Sequence, residues 1–234
     1  MFMYLLFVLP AMLLAMWAQW RVQSAYREYS QVPNAQRLTG LDVAHVLMRN
    51  EGLDHVRVEH IGGNLTDHYD PREKVMRLSE GSSRVPSVAA MAIVAHELGH
   101  AAQDQQDYAW LRVRSSIVGF ANIGSQLGTI LVFVGLLLAT LFQAATGSLG
   151  ILLAGIGVAL FSVAVAFTLI TLPVEFNASA RARSMLMRNG LVTTQEAAGV
   201  DKVLNAAAMT YVAAAASAVS QLLYFIFLLA GRRD

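Results

Sequence analysis

Cysteine is absent from the 234 residues, which excludes disulfides, thiolate metal sites and a cysteine nucleophile. Charge is scarce as well: 14% of the residues are Asp, Glu, Lys or Arg, against roughly 25% in a soluble domain. The two signs nearly cancel, 17 Lys+Arg against 16 Asp+Glu, and no basic block tracks a phosphate backbone, so nucleic acid is not an expected partner. What fills the chain is apolar. Hydrophobic residues make up 56% and the mean hydropathy is +0.49. That composition excludes a disordered chain, collagen and a coiled coil, and it indicates a membrane protein with a modest polar portion. Any metal must sit on histidine, carboxylate and water.

A bilayer core about 30 Å thick needs roughly 20 apolar residues in a helix. Four stretches qualify, at 1–20, 117–142, 148–172 and 209–230. The first lacks a basic leading region, and its apolar run is longer than that of a signal peptide, so it reads as a retained anchor. The second carries Gly124 and Gly128, a spacing that lets two helices approach closely. Its Asn122, Ser125 and Gln126 are expected to face protein.

Between the first two spans, residues 21–116 hold all six histidines. Thr39 and Asp42 form a capping-box pattern opening a helix to about Glu51, with Gly52 placed to end it. Val56 to His60, Asp67 to Asp70 and Val75 to Leu78 read as three short strands of a small antiparallel sheet. Pro86 and Ser87 precede the run Val88 to Ala95, apolar on every face, and the polar stretch Gln103 to Asp107 follows, as in a buried helix emerging into water. The second polar segment, 173–208, begins at Pro173, where a new helix is expected to open, and Asn189-Gly190 should close it.

On the buried helix stands His96-Glu97-Leu98-Gly99-His100. Histidines four apart share one helical face, so both imidazoles can reach one tetrahedral zinc. Glu97 then lies beside the open coordination position as general base for a zinc-activated water. Six His and eight Glu in 234 residues give this pattern a chance frequency of roughly half a percent. A third protein ligand is needed. The metzincin continuation requires Gly and His where this chain has Gln103 and Gln106, so that class is out. Asp104 lies one turn beyond His100, although polar helix ends commonly carry such acids as solvated charge. Glu175, a carboxylate at the end of an apolar span, is the stronger candidate; its ordinary alternative is pairing with a helix N-terminal dipole.

His96 to His100, a membrane span, and then Glu175-Phe176-Asn177-Ala178-Ser179 together resemble the HtpX-type and prenyl-protein membrane metalloproteases. Thr66-Asp67-His68-Tyr69-Asp70-Pro71, Arg77-Leu78-Ser79 and Leu172-Pro173-Val174-Glu175 resemble more closely the YugP-like neutral zinc metallopeptidase family of bacterial membranes. The resemblance implies Zn2+ as cofactor and Glu175 as third ligand beside His96 and His100, and the likeness to HtpX-type proteases alone implies clearance of damaged membrane proteins as a role. Ser179 stands where the HtpX pattern has an Asp that orients a zinc histidine.

Asp67, His68 and Tyr69 occupy the place of the edge strand that pairs with extended substrate in gluzincin-like proteases; ordinary hairpin chemistry is the alternative. His68 or Tyr69 is also a candidate donor to the oxyanion. His45, His55 and His60 read as structural. The resulting expectation is an α-helical polytopic membrane protein with four transmembrane helices and a small α+β zincin-like catalytic domain. Its partners are polypeptide substrates, membrane proteins among them, and the lipid bilayer. The competing readings are a non-catalytic scaffold with a structural metal, and a site-2-type intramembrane protease, whose Leu-Asp-Gly motif is missing from the later spans.

Two spans separate 21–116 from 173–208, so parity puts both on one side. Fifteen of the 17 Lys+Arg fall in those segments, leaving Arg232 and Arg233 opposite, with the uncharged turn near 143–147. By the positive-inside tendency the catalytic side of a multi-pass protein of the bacterial inner membrane is expected to be cytoplasmic.

Overall fold

The computed structural model describes residues 2–141 and 147–231; Arg232, Arg233 and all of the expected 143–147 turn except Gly147 lie outside the described residues. The elements in chain order are α1 (Phe2–Ser30), α2 (Gly40–Glu51), β1 (Arg57–His60), β2 (His68–Asp70), β3 (Val75–Leu78), α3 (Glu80–Ser83), α4 (Val88–Gln105), α5 (Ala109–Leu141), α6 (Gly147–Arg188) and α7 (Thr194–Ala230). Most of the described chain is helical, and α1, α5, α6 and α7 are long and apolar enough to cross a membrane.

The chain divides into two compact units. One comprises Met1–Trp17, Val113–Leu172 and Tyr211–Asp234. Inside it α5 and α6 close on each other at small residues. A Cβ on Gly124 would lie 2.4 Å from the Leu160 carbonyl oxygen, and one on Gly128 would lie 2.8 Å from that of Gly157, so only hydrogen fits at either position. Asn122 and Gln126 are exposed, contrary to expectation. At 100° per residue Gln126 lies about 160° around the helix from both glycines, and Asn122 about 160° from Gly124 and about 120° from Gly128, so the contact face cannot hold both sets. Val132, Phe161, Val165 and Phe225 form the interior of this unit. Large apolar side chains such as Leu6, Leu13, Phe120, Ile123, Leu137 and Leu152 are exposed, which suits a lipid surround rather than water.

The other unit comprises Ala18–Arg112 and Pro173–Thr210. Its α2 begins and ends as its sequence signals indicate. Thr39 and Asp42 satisfy each other's backbone N–H groups, and Gly52 turns left-handed at φ 68°. The sheet is mixed rather than purely antiparallel. Its order is β1-β3-β2, with β1 parallel and β2 antiparallel to β3. The reason is burial: Val75, Met76 and Leu78 of β3 are fully buried, so the most apolar strand takes the centre and the two polar strands become edges. Alternation within each strand marks its faces but does not choose its neighbours.

Pro173 does not open a new helix, because α6 continues through it from Gly147 to Arg188. A proline inside a helix removes one backbone hydrogen bond. Here Val174, Ala178, Ala182, Met185 and Leu186 follow it at helical spacing and are all buried, and this continuous apolar stripe outweighs the local break. Glu175 therefore lies in a helix interior, which removes the helix-terminus explanation for it.

Candidate metal centre

Helix α4 starts at Ser87, whose hydroxyl accepts from the Ala90 N–H at 3.1 Å. The run that follows has no polar face, and Val88–Met91, Ala92, Val94 and Ala95 are all buried, so α4 is the axis of its unit's core. His96 and His100 lie one turn apart on it, with ring centroids 4.8 Å apart and planes at 84°. Both turn Nε2 toward Glu175 of α6, whose Oε2 is 3.2 Å from His96 Nε2 and 3.5 Å from His100 Nε2. A tetrahedral ion about 2.1 Å from each of three donors spaces those donors about 3.4 Å apart. The two imidazole–carboxylate separations match that spacing, and the donor set, two imidazoles and a carboxylate all within 4.8 Å of one another, suits zinc in its chemistry.

Gly99 makes this convergence possible. A Cβ there would lie 2.5 Å from the Ala178 carbonyl oxygen, so α4 and α6 touch backbone to backbone between His96 and His100 on α4 and one turn from Glu175 on α6. The remaining imidazole nitrogens also have partners. Ser179 Oγ lies 3.3 Å from His96 Nδ1, so the serine faces a candidate ligand histidine. Gln103 Oε1 lies 3.0 Å from His100 Nδ1. Reading Gln103 as the start of a solvated tail missed it; the residue is fully buried, and exposure begins at Gln105. The signal was its spacing, since three residues beyond His100 is the same helical face.

Glu97 is buried beside the histidines and accepts the Tyr69 N–H at 2.8 Å. Burial pushes its carboxyl up to about 7; His96 opposes the rise, Glu175 and Asp67 add to it, and the Tyr69 hydrogen bond opposes it.

The three candidate substrate residues are placed differently from one another. Asp67, just before β2, accepts from Ser79 N at 2.7 Å and from the Ser79 and Ser82 hydroxyls at 3.1 and 3.0 Å. It anchors the start of β2 to α3. His68 is partly exposed, with Nδ1 2.9 Å from the Thr66 carbonyl oxygen. Tyr69 is buried and donates its hydroxyl to Asp104 at 2.6 Å; burial and that bond raise its pKa far above the ordinary value. Asp104 is also paired with Lys74 and is not among the converging ligands. His45, His55 and His60 are exposed and outside the metal group.

No solved structure matches this chain. The curated protein described as "Putative membrane protease YugP" of Bacillus subtilis (strain 168) is 41% identical over 232 residues, covering 99% of both chains. Residues 4–230 match the family described as "Putative neutral zinc metallopeptidase", and with zinc-fitting donors converging from α4 and α6 the conclusion is plain: this chain belongs to that family of zinc peptidases.

Proposed function

We propose that the chain is a membrane-embedded zinc endopeptidase that hydrolyses peptide bonds of protein substrates, with His96, His100 and Glu175 as ligands and Glu97 as general base. The observation that carries this reading is the approach of two imidazole Nε2 atoms and one carboxylate to zinc-ligand spacing, with a second carboxylate on the residue after the first histidine. Zinc bound there supplies Lewis-acid activation of water and of the scissile carbonyl. Glu97 removes the proton from the attacking water and returns it to the leaving amine. The same group serves both steps, accepting the proton as a carboxylate and giving it up as a carboxylic acid. Its bond from Tyr69 N–H holds one carboxylate oxygen and leaves the other for the water.

In this reading 21–116 and 173–208 form a zincin-like catalytic domain of the gluzincin kind, and 1–20, 117–142, 148–172 and 209–230 span the cell membrane. The catalytic side faces the cytoplasm. Among the described residues no strand pairs with the outer edge of β2, which supports pairing of an extended substrate beside His68 and Tyr69. Membrane proteins are the substrate class nearest to hand for such an anchored site. A non-catalytic scaffold has no use for a buried carboxyl beside the ligand pair, since burying it without a task is costly.

The test is metal analysis and casein cleavage by purified wild type and Glu97→Gln. Wild type should contain about one zinc and cleave; the variant should keep the zinc and lose about 10²–10⁴-fold in rate. A fully active variant refutes the mechanism, and a zinc-loaded wild type without activity returns the scaffold reading.

A further inference from the structure

Gln103 is fully buried, and the mechanism above makes no use of it. Its side chain spans the two helices of the site. Nε2 is 2.8 Å from the backbone carbonyl oxygen of Val174 and 3.0 Å from Asn177 Oδ1, and Oε1 is 3.0 Å from His100 Nδ1. The two ends of an amide look alike by shape, but here the partner decides between them. A backbone carbonyl can only accept, so the end facing Val174 must be the donating NH₂. The oxygen then faces His100, and because an amide oxygen can only accept, His100 Nδ1 must carry the hydrogen. A neutral imidazole has one N–H, so Nε2 keeps its lone pair, and Nε2 is the atom directed at Glu175. Val174 directly precedes Glu175 in α6, so the same amide that orients one ligand also grips the backbone next to another.

We propose that Gln103 is a positioning residue for the metal: it holds His100 in the Nδ1–H form and sets it in register with Glu175. The proposal rests on the zinc reading of His96, His100 and Glu175. It assigns a task to a residue one turn beyond the motif, and it predicts that the second histidine is oriented from its own helix, whereas Ser179 reaches the first from α6.

The experiment measures zinc affinity of the full detergent-solubilised chain by chelator competition for wild type, Gln103→Met and Gln103→Glu. Methionine matches the glutamine in length but removes all three bonds, and it should weaken zinc about 10–100-fold. Glutamate keeps an acceptor toward His100 Nδ1 and, protonated on its other oxygen, a donor toward Val174 O, so it should recover part of that loss, a rescue that repair of packing alone would not produce. Wild-type affinity in Gln103→Met, or a Gln103→Glu as weak as Gln103→Met, overturns the proposal. If Gln103→Met does not fold, histidine-¹⁵N-labelled wild type with zinc decides the matter. His100 should carry a slowly exchanging Nδ1 proton; free exchange with water overturns the positioning role. Absence of zinc binding by wild type overturns both this and the zinc reading, which separates that failure from the others.

Discussion

Gly99→Ala tests whether the backbone contact of α4 and α6 sets the ligand geometry. The new Cβ would lie 2.5 Å from Ala178 O, 3.1 Å from its carbonyl carbon and 3.2 Å from its Cα, where ordinary contact begins near 3.4 Å. The shortfall is about 0.9 Å against the oxygen, and all three atoms are backbone, so no side-chain rotation relieves it. Alanine in place of glycine in a helix gains about 0.5–1 kcal/mol, while overpacking a tight core costs about 1–3 kcal/mol. The cost should win. The displacement falls where it matters, because Gly99 lies between His96 and His100 and Ala178 lies between Glu175 and Ser179. Metal–donor distances tolerate about 0.2 Å, so moving α6 by several tenths of an ångström should weaken zinc at least about tenfold, or about 1.4 kcal/mol. Chelator competition reads the affinity, and thermal melting followed by circular dichroism reads the stability. Gly119→Ala is the control, since a Cβ there meets nothing within 4 Å. It should leave both readings at or above wild type. A Gly99→Ala protein with wild-type zinc affinity and melting temperature would refute the argument that this contact positions the ligands.

Glu175→Ala should strip zinc as thoroughly as His96→Ala or His100→Ala, whereas Asp104→Ala should retain it and melt earlier; metal analysis of the four proteins separates ligand from tether. Tyr69→Phe removes a hydrogen bond to a carboxylate, worth about 1.5–3 kcal/mol, and should lower the melting temperature without changing zinc content. Because the chain has no cysteine, single cysteines at Gly63, Gly190 and Thr146, the last outside the described residues, can be probed with an impermeant thiol reagent in intact cells. Labelling at 146 alone is expected. Labelling at 63 and 190 but not at 146 reverses the orientation, and opposite sides for 63 and 190 exclude Glu175 as a ligand.

Features that depend on neighbours along the chain were legible in the sequence. The capping box at Thr39, the stop at Gly52, the buried run that carries His96 and His100, and the four long apolar stretches all follow from local hydrogen bonding or helical period, which act over a few residues. Zinc as cofactor followed from residue chemistry and family resemblance together. What depended on distant partners was not legible. Whether Pro173 breaks a helix was decided by the buried stripe from Val174 to Leu186, and the strand order by which strand is most apolar. Asn122 and Gln126 turned outward because the glycines claimed the opposite face. Gln103 reads as a surface residue beside Asp104 and Gln105, and only the approach of α6 buries it against Val174 and His100. Sequence period says which face a side chain takes, but packing decides what stands opposite, and a polar group's role follows from the partner it finds there.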